Sequence, residues 1–111
     1  MSFEQLVAEA LDGLPEWVLR RLDNVEVMIE ERPPADAPNL LGLYEGIPLT
    51  RRGAGYTWAL PDRITLYRST IEAAGGPDPR RLKRVIADTV VHEVAHYFGI
   101  SEQRLRELGR G

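Results

Sequence analysis

The sequence predicts an α+β fold, with several helices, about three short strands, and one long helix near the C-terminus buried under the sheet. Three observations predict it. NVEVMIEE and RITLYR alternate apolar and polar residues at the period of a strand. Residues 79–98 carry both the start and the stop signals of a single long helix. The second half of that stretch is apolar almost all round, as expected of a helix covered on most sides.

The elements follow in order. Ser2 and Gln5 make a capping box, and Phe3, Leu6, Val7, Ala10, Leu11 and Leu14 form a helical apolar stripe, with Gly13 ending the helix. Pro15 suits the first position of a short second helix, PEWVLRRL. In NVEVMIEE, Val25, Val27 and Ile29 face one way and Glu26, Met28 and Glu30 the other. RPPADAP is a rigid, non-helical connector. LLGLYEG reads as a short second strand, weakened by Gly42, and TRRGAGYTWALPD as an exposed loop or hairpin. RITLYR is the clearest remaining strand, with Ile64 and Leu66 opposite Thr65 and Tyr67.

A short helix, STIEAA, precedes the break GGPDP. Asp78 is a good N-cap and Pro79 a good first residue for RRLKRVIADTVVHEVAHYF, which ends at Gly99. Val85, Ile86, Thr89, Val90, Val91 and Val94 are β-branched and would alone allow a strand, but the length and both end signals favour helix. Ser101 caps a last helix, SEQRLRELG. No repeat, low-complexity stretch or linker interrupts the chain, so one domain is expected over residues 1–111.

Composition excludes several classes of function. The net charge of -3 and a pI near 5.4 give no general attraction to nucleic acid or to anionic membranes. Without cysteine there is no disulfide framework, thiolate nucleophile or cysteine-held metal. The N-terminus lacks a basic segment before an apolar run, and no stretch approaches a membrane span, so a cytoplasmic protein is expected.

Both histidines of the chain lie in VVHEVAHYFG. His92, Glu93 and His96 form an H-E-x-x-H pattern, which chance placement of two histidines would give in this chain only about twice in a thousand. Residues four apart share a helix face, so the two imidazoles point to one zinc ion, with Glu93 beside the water that the metal activates. A catalytic zinc usually takes three protein ligands, and here the third must be a carboxylate. The turn at Gly99 brings Glu102 into the position of a third ligand; Glu107 and acids upstream are the alternatives. Glu102 in the first turn of the last helix also complements that helix's dipole. Glu93 is the candidate general base. Asp88, one turn before His92, either orients His92 or is a solvated charge. Tyr56, Tyr67 and Tyr97 are candidate donors to an oxyanion, each also readable as packing. Arg80, Arg81, Lys83 and Arg84 read first as a solvated face.

VVHEVAHYFGISE resembles the zincin metallopeptidases, and the whole chain resembles a family of very small bacterial minimal zincins. The resemblance rests on the size, on LLGLYEGIPLT, on RITLYR ahead of the long helix, and on H-E-x-x-H-x-x-G-x-x-[DE] near the C-terminus. It implies a small zincin-like fold, a short mixed sheet of about three strands packed on the motif helix. It also implies His92, His96 and the acid at position 102 as ligands, with Glu93 as base. Other members often have Asp at that last position, and Glu102 is one methylene longer. No methionine follows the motif, so the chain is not a full metzincin.

The leading expectation is a zinc-dependent peptidase acting on short or unfolded peptides, which would add as a strand to an exposed sheet edge, with RITLYR as the candidate edge. A zinc-dependent phosphodiester (RNA) hydrolase is the alternative chemistry, supported only by RRLKR and opposed by the acidic pI. A regulatory or binding module with a vestigial metal site is the non-enzymatic alternative.

Overall fold

The computed structural model describes residues 2–48, 50, 52 and 61–108. Its elements run α1 (Phe3–Asp12), α2 (Glu16–Arg21), β1 (Val25–Glu30), β2 (Gly42–Glu45), β3 (Asp62–Tyr67), α3 (Arg68–Gly75), α4 (Pro79–Tyr97) and α5 (Glu102–Glu107). The fold is α+β: among the described residues, five helices and a mixed three-stranded sheet of order β1-β3-β2. β3 pairs parallel with β1 and antiparallel with β2. Most of the region expected as a loop or hairpin, TRRGAGYTWALPD, lies outside the described residues.

Local sequence accounts for the helix ends. Ser2 Oγ accepts from Gln5 N–H at 3.1 Å while Gln5 Oε1 accepts from Ser2 N–H at 2.8 Å, which closes the capping box of α1. Asp78 Oδ1 accepts from Arg80 N–H at 3.0 Å, and Pro79 opens α4. Pro15 differs slightly from expectation. Its ψ of 146° places it at the cap of α2 instead of inside the first turn.

RITLYR is not an edge. β3 is the central strand, and Ile64, Thr65, Leu66 and Tyr67 are all buried. A central strand covered on both faces loses the alternation of a half-exposed one. Thr65 and Tyr67 imitate that alternation in sequence because both are amphipathic. β1 does alternate: Val25, Val27 and Ile29 are half-buried, and Glu26, Met28 and Glu30 are exposed.

Among the described residues the outer strands are therefore β1 and β2. Tyr67 N–H donates to Leu41 O at 2.9 Å, and Leu43 and Glu45 lie opposite Thr65 and Arg63. Bonded residues alternate in an antiparallel pair, so the N–H and C=O groups of Gly42 and Tyr44 point away from β3.

α4 is the centre of the packing. It contacts α1 and α3 as well as β2 and β3. Ile86, Val90 and Val94 of α4 join Phe3, Leu6, Val7, Val18, Ile64, Leu66 and Ile71 in one core. β2 comes so close to α4 that a Cβ on Gly42 would lie 2.9 Å from Thr89 Cγ2 and 3.1 Å from Glu93 Cγ.

A buried polar network closes the end of the sheet. Arg52 Nη2 pairs with Asp62 Oδ2 at 2.7 Å, both side chains being almost fully buried. Asp62 also accepts from the Tyr44 hydroxyl and from Ile47 N–H at 3.2 Å. Burial, and then the bond to Asp62, push the Tyr44 hydroxyl above the ordinary tyrosine range, which keeps it a donor. Arg52 further donates to Ile47 O and Asp23 O, and its guanidinium lies over the Tyr97 ring at 4.9 Å. The fully buried Tyr97 donates its hydroxyl proton to Arg21 O at 2.8 Å and accepts from Asp23 N–H at 3.0 Å.

Two outcomes follow for stability. Asp62→Ala removes the buried carboxylate paired with Arg52 and should cost about 3–5 kcal/mol, a large share of the stability of a domain this size. Adding Arg52→Met should recover part of that loss in urea unfolding. Gly42→Ala should cost about 1–3 kcal/mol, because Thr89 and Glu93 must give way to the new methyl. A midpoint shift at unchanged slope checks it.

Candidate metal centre

The last turn of α4 sets the site. Ile100 N–H donates to Ala95 O at 3.0 Å and Gly99 N–H to His96 O at 2.9 Å, the bond pattern of a Schellman cap. Gly99 takes φ +86°, and a Cβ there would fall 2.3 Å from Thr50 Oγ1, so both backbone and space require glycine. The turn puts Ile100 C=O beneath His96, whose Nδ1 lies 2.8 Å from it. Nδ1 therefore donates to that carbonyl, which turns Nε2 toward the cleft and Glu102.

After the turn, Ser101 Oγ caps α5 by accepting from Arg104 N–H at 3.1 Å, and Glu102 enters the first turn of α5. One oxygen of Glu102, Oε1, lies 2.7 Å from His92 Nε2 and 2.8 Å from His96 Nε2. The three side chains offer ligand atoms that all lie within 4.8 Å of one another. The donor set fits a zinc ion: two imidazole nitrogens and a carboxylate oxygen on a partly exposed surface. Glu107 does not join them; its Oε2 lies 3.9 Å from Arg104 Nη1.

Burial opposes ionisation of Glu102, but the bonds from His92 and His96 outweigh it and hold its carboxyl below the ordinary range. Glu93 behaves oppositely. It is 5% exposed, and burial pushes its carboxyl above the usual range against the pull of His92 and His96. The outward backbone N–H of Tyr44 lowers it in part.

Two adjoining grooves open over these residues. One, of about 510 Å³, follows α4; the other, of about 370 Å³, passes Tyr44, Pro48 and Thr50. Both are lined by Leu40, Gly42, Glu93 and Glu102. Gly42 of β2 thus borders both grooves, which meet at Glu93 and Glu102 of the candidate centre.

Other candidates lie elsewhere. The Tyr97 hydroxyl is used up between Arg21 and Asp23, so it is not an oxyanion donor. Tyr67 is buried in β3 and lines neither groove. Tyr56 lies outside the described residues. Asp88 is exposed in the α4 groove and makes no hydrogen bond to His92 among the described residues. In the basic run, Lys83 pairs with Glu9 at 3.1 Å and Arg81 lines the groove. Sequence reasoning missed Leu40 and the edge groups of Gly42 and Tyr44. The glycine inside a strand was the available signal, since it marks close backbone approach.

Among the described residues no helix is long and apolar enough to cross a membrane. No curated protein matches the chain. A conserved hypothetical protein from T. thermophilus, TTHA0227, has a similar fold at TM-score 0.59 and 22% identity, covering 98% of this chain and 96% of its own. Residues 22–111 match the zincin-like metallopeptidase family, Zincin_1. That match runs from the end of α2 through every described strand and the candidate ligands His92, His96 and Glu102, and the chain belongs to the zincin-like metallopeptidase family.

Proposed function

We propose that the protein is a zinc-dependent peptidase that hydrolyses short or unfolded peptides, with His92, His96 and Glu102 holding the ion and Glu93 as general base. The observation that carries this reading is the convergence of two imidazole Nε2 atoms on one Glu102 oxygen, with Glu93 buried beside them. Zinc bound by these residues supplies Lewis acidity, which activates water and polarises a carbonyl.

The remaining chemistry belongs to the chain. Glu93 takes the proton of the attacking water and passes it to the leaving amine. Its raised proton affinity suits this exchange, since a base is most effective with a pKa near the working pH. Ile100 fixes the tautomer of His96. The outward N–H and C=O of Gly42 and the outward C=O of Tyr44 offer main-chain bonds to an extended peptide, which aligns its carbonyl over the centre. β2 takes the role that sequence reasoning gave to RITLYR. Among the described residues, three carboxylates, Asp88, Glu93 and Glu102, face the cleft against one arginine, Arg81, which favours a peptide over a polyanion.

Purified protein should bind about one zinc per chain, and His92→Ala or His96→Ala should each lower zinc content at least tenfold by elemental analysis. Wild-type zinc content in both variants would remove the proposed ligands. Glu93→Gln should keep its zinc and lose peptide hydrolysis by roughly a hundredfold or more. Cleavage of a peptide library at the wild-type rate would rule out Glu93 as the base, and metal-dependent cleavage of RNA alone would replace the peptidase reading.

A further inference from the structure

The larger groove extends well beyond the candidate centre. Arg81, Val85, Asp88 and His92 lie on one stripe of α4 and line the same wall, opposite Asn39, Leu40 and Leu41. At 1.5 Å rise per residue, Asp88 stands about 6 Å and Arg81 about 16 Å along the axis from His92. Val85 makes the wall apolar between the two charges.

Those charges are available. Arg81 and Asp88 are exposed, and neither has an ion pair or side-chain hydrogen bond with any described residue. Lys83, in the same basic run, is already paired with Glu9. Arg81 and Asp88 are also too far apart along the helix, about 10 Å, to neutralise each other.

An extended peptide advances about 3.3 Å per residue. A chain that leaves the centre along α4 therefore passes Asp88 after about two residues and reaches Arg81 after about five. The geometry points to a groove that reads charge along the substrate: Arg81 selects an acidic side chain about five residues from the cleaved bond, and Asp88 a basic one about two residues from it. The occupant is a peptide of mixed charge in extended form, and the assignment rests on the peptidase reading. Exposed ion pairs are weak, so each position should contribute only about threefold in affinity and fade with added salt.

The test uses peptides acetylated and amidated at their ends, so that terminal charges do not contribute. Zinc-loaded Glu93→Gln protein reports binding by fluorescence anisotropy, and zinc-loaded wild type reports cleavage. Glu, Gln or Lys is placed five residues from the central bond, on either side in turn. On one side Glu should bind about threefold tighter than Gln and Lys more weakly than both, and Arg81→Glu should reverse the order. Arg80→Glu makes the same charge change outside the groove and should leave the order as it is. At the second residue on that side, Lys should be preferred, and Asp88→Lys should reverse that preference. An order unmoved by Arg81→Glu, or moved equally by Arg80→Glu, would overturn the inference, as would binding with no dependence on charge position. Cleavage without charge dependence sinks this inference and leaves the peptidase reading in place. Charge-ordered binding without cleavage does the reverse.

Discussion

The left-handed turn at Gly99 is the constraint on which the candidate centre depends. It ends α4, places a carbonyl under His96, and sends the chain back so that Glu102 meets both imidazoles. These are consequences of one backbone conformation that L side chains rarely adopt, at a position where Thr50 also leaves no space for a Cβ. The spacing of the motif is therefore a statement about chain direction. Two histidines at helical spacing need only a helix, whereas an acid six residues after the second needs the helix to stop.

The end of the helix that leads into this turn is anchored by the buried network through Tyr97. Arg52 connects Asp62, Asp23, Ile47 and Tyr97, which joins the starts of β1 and β3 to the last turn of α4. Tyr97 immediately follows His96, so the helix end that carries the imidazole is tied to the sheet one residue away. A buried ion pair gives little net stability against an apolar replacement, but its directional bonds fix one arrangement of the surrounding chain. Two charges inside so small a core thus hold chain geometry more than they add stability.

What was legible in the sequence was local. Asp78, Pro79 and Gly99 marked both ends of α4, Ser2 and Gln5 the start of α1, and the alternation of β1 its buried face. The His92, His96 and Glu102 spacing put the right side chains together for the same reason, since one helix and one turn separate them. The non-local features stayed hidden. RITLYR reads as a half-exposed strand, and only its pairing with both β1 and β2 makes it central. Tyr97 sits inside the motif, yet its hydroxyl faces the backbone of residues 21–23, more than seventy positions earlier. Nothing near Arg52 in sequence announces Asp62 as its partner.

The shortness of β2 has a consequence for how long anything can stay in the cleft. A four-residue strand offers only Gly42 and Tyr44 outward, so a peptide paired there gains about two or three main-chain bonds. At about 1 kcal/mol each, that falls short of the roughly 4 kcal/mol needed even for millimolar binding. A ligand held by this edge alone would leave as readily as it arrives. Residence time must then be set by side chains along the groove walls, and, on the proposed peptidase reading, a cleaved product that has lost its span across the cleft would have little left to hold it.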